Sequence, residues 1–148
     1  MVSVRYDTGF TVNKETSMPA SAIDSKKATI LICDDEEGIR ESFKLILEDF
    51  YTLRFATNGL EALETLKSLS PDLMLLDIKM PKLHGMEILK QVKSLKPSLP
   101  VIIVTGYQSV ETAQEAIKNG ASDYIPKPFD SKHLLRSVSE TLKTANVD

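Results

Sequence analysis

The stretch Pro71-Asp72-Leu73-Met74-Leu75-Leu76-Asp77-Ile78-Lys79-Met80-Pro81 decides how the rest of the chain is read. Its apolar run is too short for a helix and is bracketed by Pro71 and Pro81, so the pattern predicts a strand buried on both faces. That strand delivers one carboxylate, Asp77, at its C-terminal end. In open parallel sheets ligands bind beyond the carboxyl ends of the strands, so Asp77 faces a crevice and becomes the first candidate functional residue. Taken alone, it also suits a turn before Pro81.

Two further runs share this character. Ile30-Leu31-Ile32-Cys33 is continuously apolar and empties into Asp34-Asp35-Glu36-Glu37, while Pro100-Val101-Ile102-Ile103-Val104-Thr105 ends on a hydroxyl. Between and after them, apolar residues recur at helical spacing: Ile39, Phe43, Ile46, Leu47 and Phe50; Leu60, Leu63, Leu66 and Leu69; Ile88, Leu89, Val92 and Leu95; Val110, Ala113, Ala116 and Ile117; Leu134, Leu135, Val138 and Leu142. The acids after Cys33 fall at a helix start, where the helix dipole favours them. Asn119-Gly120 is a C-cap signature, and Asp130 is suited to cap the last helix. Two shorter strands are predicted at 51–57 and 121–125, the second leaving through Pro126-Lys127-Pro128-Phe129. Five strands alternating with five helices imply a parallel α/β sheet covered on both faces. Right-handed connections then bring Asp34, Asp35, Asp77, Thr105 and Lys127 to one edge.

Residues 1–27 differ in composition. Val2, Val4 and Tyr6 alternate with polar residues up to Asp7-Thr8-Gly9, and Phe10 and Val12 resume the alternation, a hairpin pattern set against simple flexibility. The expectation is an N-terminal extension over 1–27 and one domain over 28–145. The net charge of −3 comes without a basic patch, which argues against direct nucleic-acid binding. One cysteine excludes an internal disulfide and fits a reducing compartment. No stretch has the length of a membrane span or the apolar centre of a signal peptide, so the expectation is a cytoplasmic protein without a membrane partner.

Three carboxylates gathered in one crevice require a cation to stay ionised together. A hard divalent ion such as Mg²⁺ takes one or two carboxylates and keeps several waters, a demand met by Asp35 and Asp77 with Asp34 holding a water. Cys33, His84 and His133 are too scattered to form a thiolate or imidazole site. A carboxylate is also a nucleophile toward phosphorus that needs no general base. Lys127 and Thr105 are suited to hold the charge of a phosphoryl group there.

Asp34-Asp35, Asp77 with Met80-Pro81 and Gly85, Thr105-Gly106, and Tyr124-Ile125-Pro126-Lys127-Pro128-Phe129 together resemble the receiver domain of bacterial two-component response regulators. The resemblance covers residues 28–143. The run Asp34 to Arg40 is similar to that of single-domain receivers of sporulation phosphorelays. The resemblance implies a flavodoxin-like (βα)5 doubly wound sheet with strand order 2-1-3-4-5. It implies that Asp77 is the phosphoacceptor, served by a sensor histidine kinase or a histidine phosphotransfer protein. Asp35, Asp77 and the Lys79 carbonyl would bind Mg²⁺, with Asp34 reaching it through water, and Thr105 and Lys127 would hold the phosphoryl oxygens. Tyr124 occupies the place of the switch aromatic, and the Lys127-Pro128 bond is expected to be cis. The first helix and the Pro128-Phe129 loop would dock on the bundle that carries the phosphohistidine. Ile39 suits either that surface or the core. His84, where many receivers have an acid, reads as a solvated loop residue.

Lys79 and Tyr107, each two places beyond a matched residue, are expected to flank the path of a water attacking the phosphoryl group and to lengthen its lifetime. The reading that follows is a signalling switch, not a turnover enzyme, with an unassigned downstream effector and a phosphorylation-dependent homodimer among its expected partners. Alternatives are a receiver cut from a larger DNA-binding or effector regulator, a degenerate receiver used only for docking, and a small aspartyl-phosphate phosphohydrolase. The last usually needs a second Asp where this chain has Lys79.

Overall fold

The computed structural model describes residues 27–79, 85–107 and 109–145. The expectations for residues 1–26 and for His84 lie outside the described residues. Five strands form one sheet: β1 (Thr29–Cys33), β2 (Thr52–Ala56), β3 (Leu73–Leu76), β4 (Val101–Thr105) and β5 (Asp123–Pro126). They alternate with α1 (Glu37–Leu47), α2 (Gly59–Leu66), α3 (Gly85–Leu95), α4 (Val110–Lys118) and α5 (Ser131–Ala145). The spatial order is β2-β1-β3-β4-β5, parallel throughout, as the doubly wound reading requires.

Alternation along the strands divides the core in two. Leu31, Cys33, Met74, Leu76, Val101 and Ile103 pack with buried residues of α2, α3 and α4. Ile30, Ile32, Leu73, Leu75, Ile102, Val104 and Ile125 pack with Phe43 and Leu47 of α1 and with Leu134, Val138 and Leu142 of α5. All four residues of β3 are buried, so the short apolar run is indeed covered on both sides. β2 is the edge strand, and only its last residue, Ala56, is buried.

Helix faces depart from the sequence pattern at several positions. Phe50, Leu60, Leu95, Val110 and Ile117 are exposed. In α2 the leucines are spaced strictly by three, which rotates each about 60° back from its predecessor, so the buried stripe is completed by Ala62 instead of Leu60. Leu69 lies beyond the end of α2. In α4 Ala116 alone is buried, and Ile117 sits a further 100° around the helix. Ile39 is half-buried and packs against the α1 and α5 cluster.

Helix ends follow local chemistry. Asn58 caps α2 by accepting the Glu61 N–H at 2.8 Å, and Ser109 caps α4 by accepting from Thr112. Gly120 takes φ +104°, and the Gly120 and Ala121 N–H groups return to the Ile117 and Ala116 carbonyls at 3.0 Å each, closing α4 as its Asn-Gly ending predicts.

Candidate functional site

Strand order reverses between β1 and β3, which leaves a crevice beyond their carboxyl ends. Asp34 follows β1 directly, Asp77 follows β3, and Lys127 follows β5, so the chain itself carries two acids and one base to this place. Backbone bonds continue the sheet into these residues: the Asp34 N–H donates to the Ala56 carbonyl at 3.1 Å, the Asp77 N–H to Cys33 at 3.0 Å and the Lys127 N–H to Thr105 at 2.8 Å. Their positions are therefore set by the ladder, not by loop conformation.

Asp34 and Asp77 are nearly inaccessible, at 1% and 3% exposure. Each carboxylate is met on both oxygens. Asp34 Oδ1 accepts the Glu36 N–H at 2.9 Å and Asp77 Oδ1 accepts the Lys79 N–H at 2.8 Å. The Lys127 ammonium donates to Asp34 Oδ2 at 2.8 Å, to Asp77 Oδ2 at 2.9 Å and to Glu36 Oε1 at 3.2 Å. Burial by itself would lower the Lys127 pKa, but the hydrogen bonds and charges of Asp34 and Asp77 outweigh it and hold the ammonium well above the ordinary lysine range. Burial raises Asp34 above the usual carboxylate value, against the opposing pull of Lys127 and the Glu36 amide.

Asp34, Asp35, Glu36 and Asp77 each present a carboxylate oxygen, and these atoms lie within 4.8 Å of one another. The set is all oxygen, which fits a hard cation such as Mg²⁺ and offers nothing to a thiolate or imidazole metal. An adjoining cleft of about 210 Å³ is lined by Asp35, Glu36, Asp77, Lys79, Gly106 and Lys127. The crevice thus combines a buried carboxylate, a fixed ammonium and room for a small anionic group.

The remaining predicted residues fall around this centre. Thr105 is fully buried at the end of β4, and its hydroxyl oxygen lies 3.4 Å from the Tyr107 N–H. The Lys79 ammonium stands over the Tyr107 ring, 5.5 Å from its centroid, so the two residues expected to flank the site do meet. The Tyr124 ring is half-buried against the α2 to α4 side of the core, and its hydroxyl donates to the Tyr107 carbonyl. The Lys127-Pro128 peptide is cis. Phe129 stacks on Phe43 of α1 with centroids 5.0 Å apart and planes 10° from parallel.

Two features were not anticipated from the sequence. Glu36 is a direct partner of Lys127, although the two are 91 residues apart, and the Arg40 guanidinium donates to the Asp34 carbonyl at 2.9 Å. The acidic run carries a signal for the first, although the same acids also suit the helix dipole. Nothing in the residue pattern marked the second.

Residues 30–139 match the response regulator receiver domain family. The chain belongs to the response regulator receiver family. It is 37% identical over 120 residues to the response regulator MprA of Mycobacterium ulcerans, covering 80% of this chain and 52% of that protein. It is 42% identical over 116 residues to the regulatory protein AtoC of Escherichia coli, covering 77% of this chain and 25% of AtoC. Among solved structures, a CheY-like receiver domain protein from Methanospirillum hungatei superposes with a TM-score of 0.76 at 36% identity, over 80% of this chain and 95% of that one. The receiver thus spans about half the length of the mycobacterial regulator and a quarter of AtoC. Receivers are the response components of two-component systems, and among the described residues no helix is long and apolar enough to cross a membrane.

Proposed function

We propose that Asp77 accepts a phosphoryl group from a phosphohistidine on a sensor histidine kinase or histidine phosphotransfer protein, and that the modified chain shifts between two conformations to pass on a signal. The observation that carries this reading is the buried Asp77 carboxylate with the Lys127 ammonium 2.9 Å from one oxygen and the Lys79 amide 2.8 Å from the other. An ionised carboxylate needs no base, so the protein's task is to hold charge and direction. An Asp77 oxygen forms the new bond to phosphorus as the donor's phosphorus–nitrogen bond breaks, and the released imidazole nitrogen takes a proton from solvent. Lys127 steadies the charge on the phosphoryl oxygens, and Thr105, moving from its buried position, supplies a hydroxyl to them.

Asp35, Asp77 and the Lys79 carbonyl would hold Mg²⁺, with Asp34 acting through a water, in keeping with the all-oxygen set around the crevice. When bound, the ion supplies positive charge that offsets repulsion between the carboxylates and the incoming group. Tyr124 is the second half of the switch. Its hydroxyl ties the segment after β4 through Tyr107, and movement of Thr105 would favour release of that bond and an inward ring. Lys79 and Tyr107, already in contact, would screen the path of an attacking water and prolong the phosphorylated state. The setting is cytoplasmic, and a homodimer formed on phosphorylation is one route to the effector.

The test is to incubate the chain with a small acyl phosphate and Mg²⁺ and to weigh it intact. A gain of one phosphoryl group that disappears in Asp77→Asn is expected. A gain that persists in Asp77→Asn overturns the assignment, whereas sustained hydrolysis of a phosphomonoester that needs Asp77 would favour a phosphohydrolase.

A further inference from the structure

The Lys127 ammonium has three protons, and three carboxylate oxygens, from Asp34, Asp77 and Glu36, lie within 3.2 Å of it. An anionic oxygen arriving at Lys127 must therefore replace one of them. Asp34 and Asp77 are buried, and before transfer, while both are charged, pulling Lys127 from either would strand a carboxylate out of reach of water. Glu36 is different: its side chain is 62% exposed and its contact is the longest of the three. It also stands at the N-cap of α1 and makes no capping bond there, reaching instead for the ammonium. Its carboxylate lines the same cleft as Asp77 and Lys127.

We infer that the Glu36 carboxylate occupies the anion seat on Lys127 that a phosphoryl oxygen takes, and so acts as a built-in competitor that tempers loading of the receiver. The assignment of the seat to a phosphoryl oxygen rests on the function proposed above. Glu36 is a positioning residue. It leaves to solvent, where its charge is rehydrated at little cost, whereas the two buried aspartates keep the ammonium until transfer takes place.

The test compares Glu36→Gln with Glu37→Gln, which removes the same charge one residue further on, in the first turn of α1. The first measurement is binding of inorganic phosphate in metal-free buffer, followed through the amide resonance of Gly106 in the cleft. The second is the rate of mass gain from a small acyl phosphate at saturating Mg²⁺. Loss of one exposed ion pair predicts that Glu36→Gln binds phosphate about two- to five-fold tighter and loads faster by a similar factor, with Glu37→Gln near wild type. The shorter Glu36→Asp, which keeps the charge but withdraws it from Lys127, should follow Glu36→Gln. An unchanged or weaker phosphate affinity in Glu36→Gln, slower loading at saturating Mg²⁺, or an equal gain in Glu37→Gln overturns the inference. Failure of the wild-type chain to load at Asp77 would instead count against the proposed function, since the phosphate measurement needs no transfer.

Discussion

At the scale of single residues, chemistry at this site is a matter of which groups are denied water. Asp34 and Asp77 are buried beside one ammonium, and removing that ammonium would leave two carboxylates facing each other in a poor solvent. The Lys79 and Tyr107 pair lies outside this inner set. Its contact of 5.5 Å is of the cation–π type, worth on the order of 0.5 to 1 kcal/mol when exposed, and its value would be in covering the cleft, not in stability. Lys79→Asn and Tyr107→Ala are therefore expected to shorten the lifetime of the phosphorylated chain several-fold while leaving the unfolding midpoint nearly unmoved. Following loss of the phosphoryl mass with time checks this, and an unchanged decay rate in both variants counts against the screen. The inner residues were legible in the sequence because strand ends announce themselves by an apolar run stopping on an acid or hydroxyl. Glu36 was not, because a contact spanning β1 and β5 depends on where two loops meet in space.

At the scale of elements, Ile78, just beyond β3, is packed closely against the start of α3. A Cβ on Gly85 would come within 2.5 Å of the Ile78 carbonyl oxygen and would also collide with its Cα, which are backbone atoms unable to turn aside. Gly59, at the start of α2, would meet the Ile88 side chain, with Cγ1 at 2.5 Å, and a side chain can change rotamer. Gly85→Ala should thus cost about 2 to 3 kcal/mol and Gly59→Ala about 1 kcal/mol or less, a ranking that urea unfolding would settle. Because Ile78 immediately follows Asp77, Gly85→Ala should also slow phosphoryl loading. Element boundaries were mostly readable, since capping residues such as Asn58 and Ser109 mark them. Which side of a helix is buried was harder to read. Leu60 and Ile117 carry the hydrophobicity of core residues, yet small residues, Ala62 and Ala116, fit the narrow space against the sheet.

At the scale of the whole molecule, several groups couple stability to alkaline pH with one sign. Burial, reinforced by Asp34 and other nearby acids, raises the Cys33 thiol from 9.0 to about 12. Burial raises Tyr51, and burial together with Asp77 raises Tyr124. Lys127 is raised by its carboxylate partners against the effect of burial. In each case the folded chain keeps a proton that the unfolded chain gives up, so stability is fully present below the unfolded pKa and falls as pH rises through the folded one. The first loss begins near pH 9.0, where the unfolded thiol ionises. For Cys33 alone the fall is about 4 kcal/mol by pH 12, at about 1.4 kcal/mol for each tenfold change. Urea midpoints should be level near pH 7 to 8 and drop from pH 9 upward, and Cys33→Ala should flatten the first part of the drop. A midpoint unmoved between about pH 8 and 11 would contradict this. The parallel sheet itself was plain from the sequence, since three runs of consecutive apolar residues leave no polar face for water and so demand helices on both sides.

The stack of Phe129 on Phe43 links the place where a donor is expected to grip with the place where it is expected to react. Phe129 lies two residues past the lysine that steadies Asp77, and Phe43 belongs to the first helix. Packed rings transmit displacement because interiors are as dense as crystals. A partner that tilted that helix by a fraction of an ångström would therefore nudge the ammonium as well, and recognition and reactivity would share one mechanical lever.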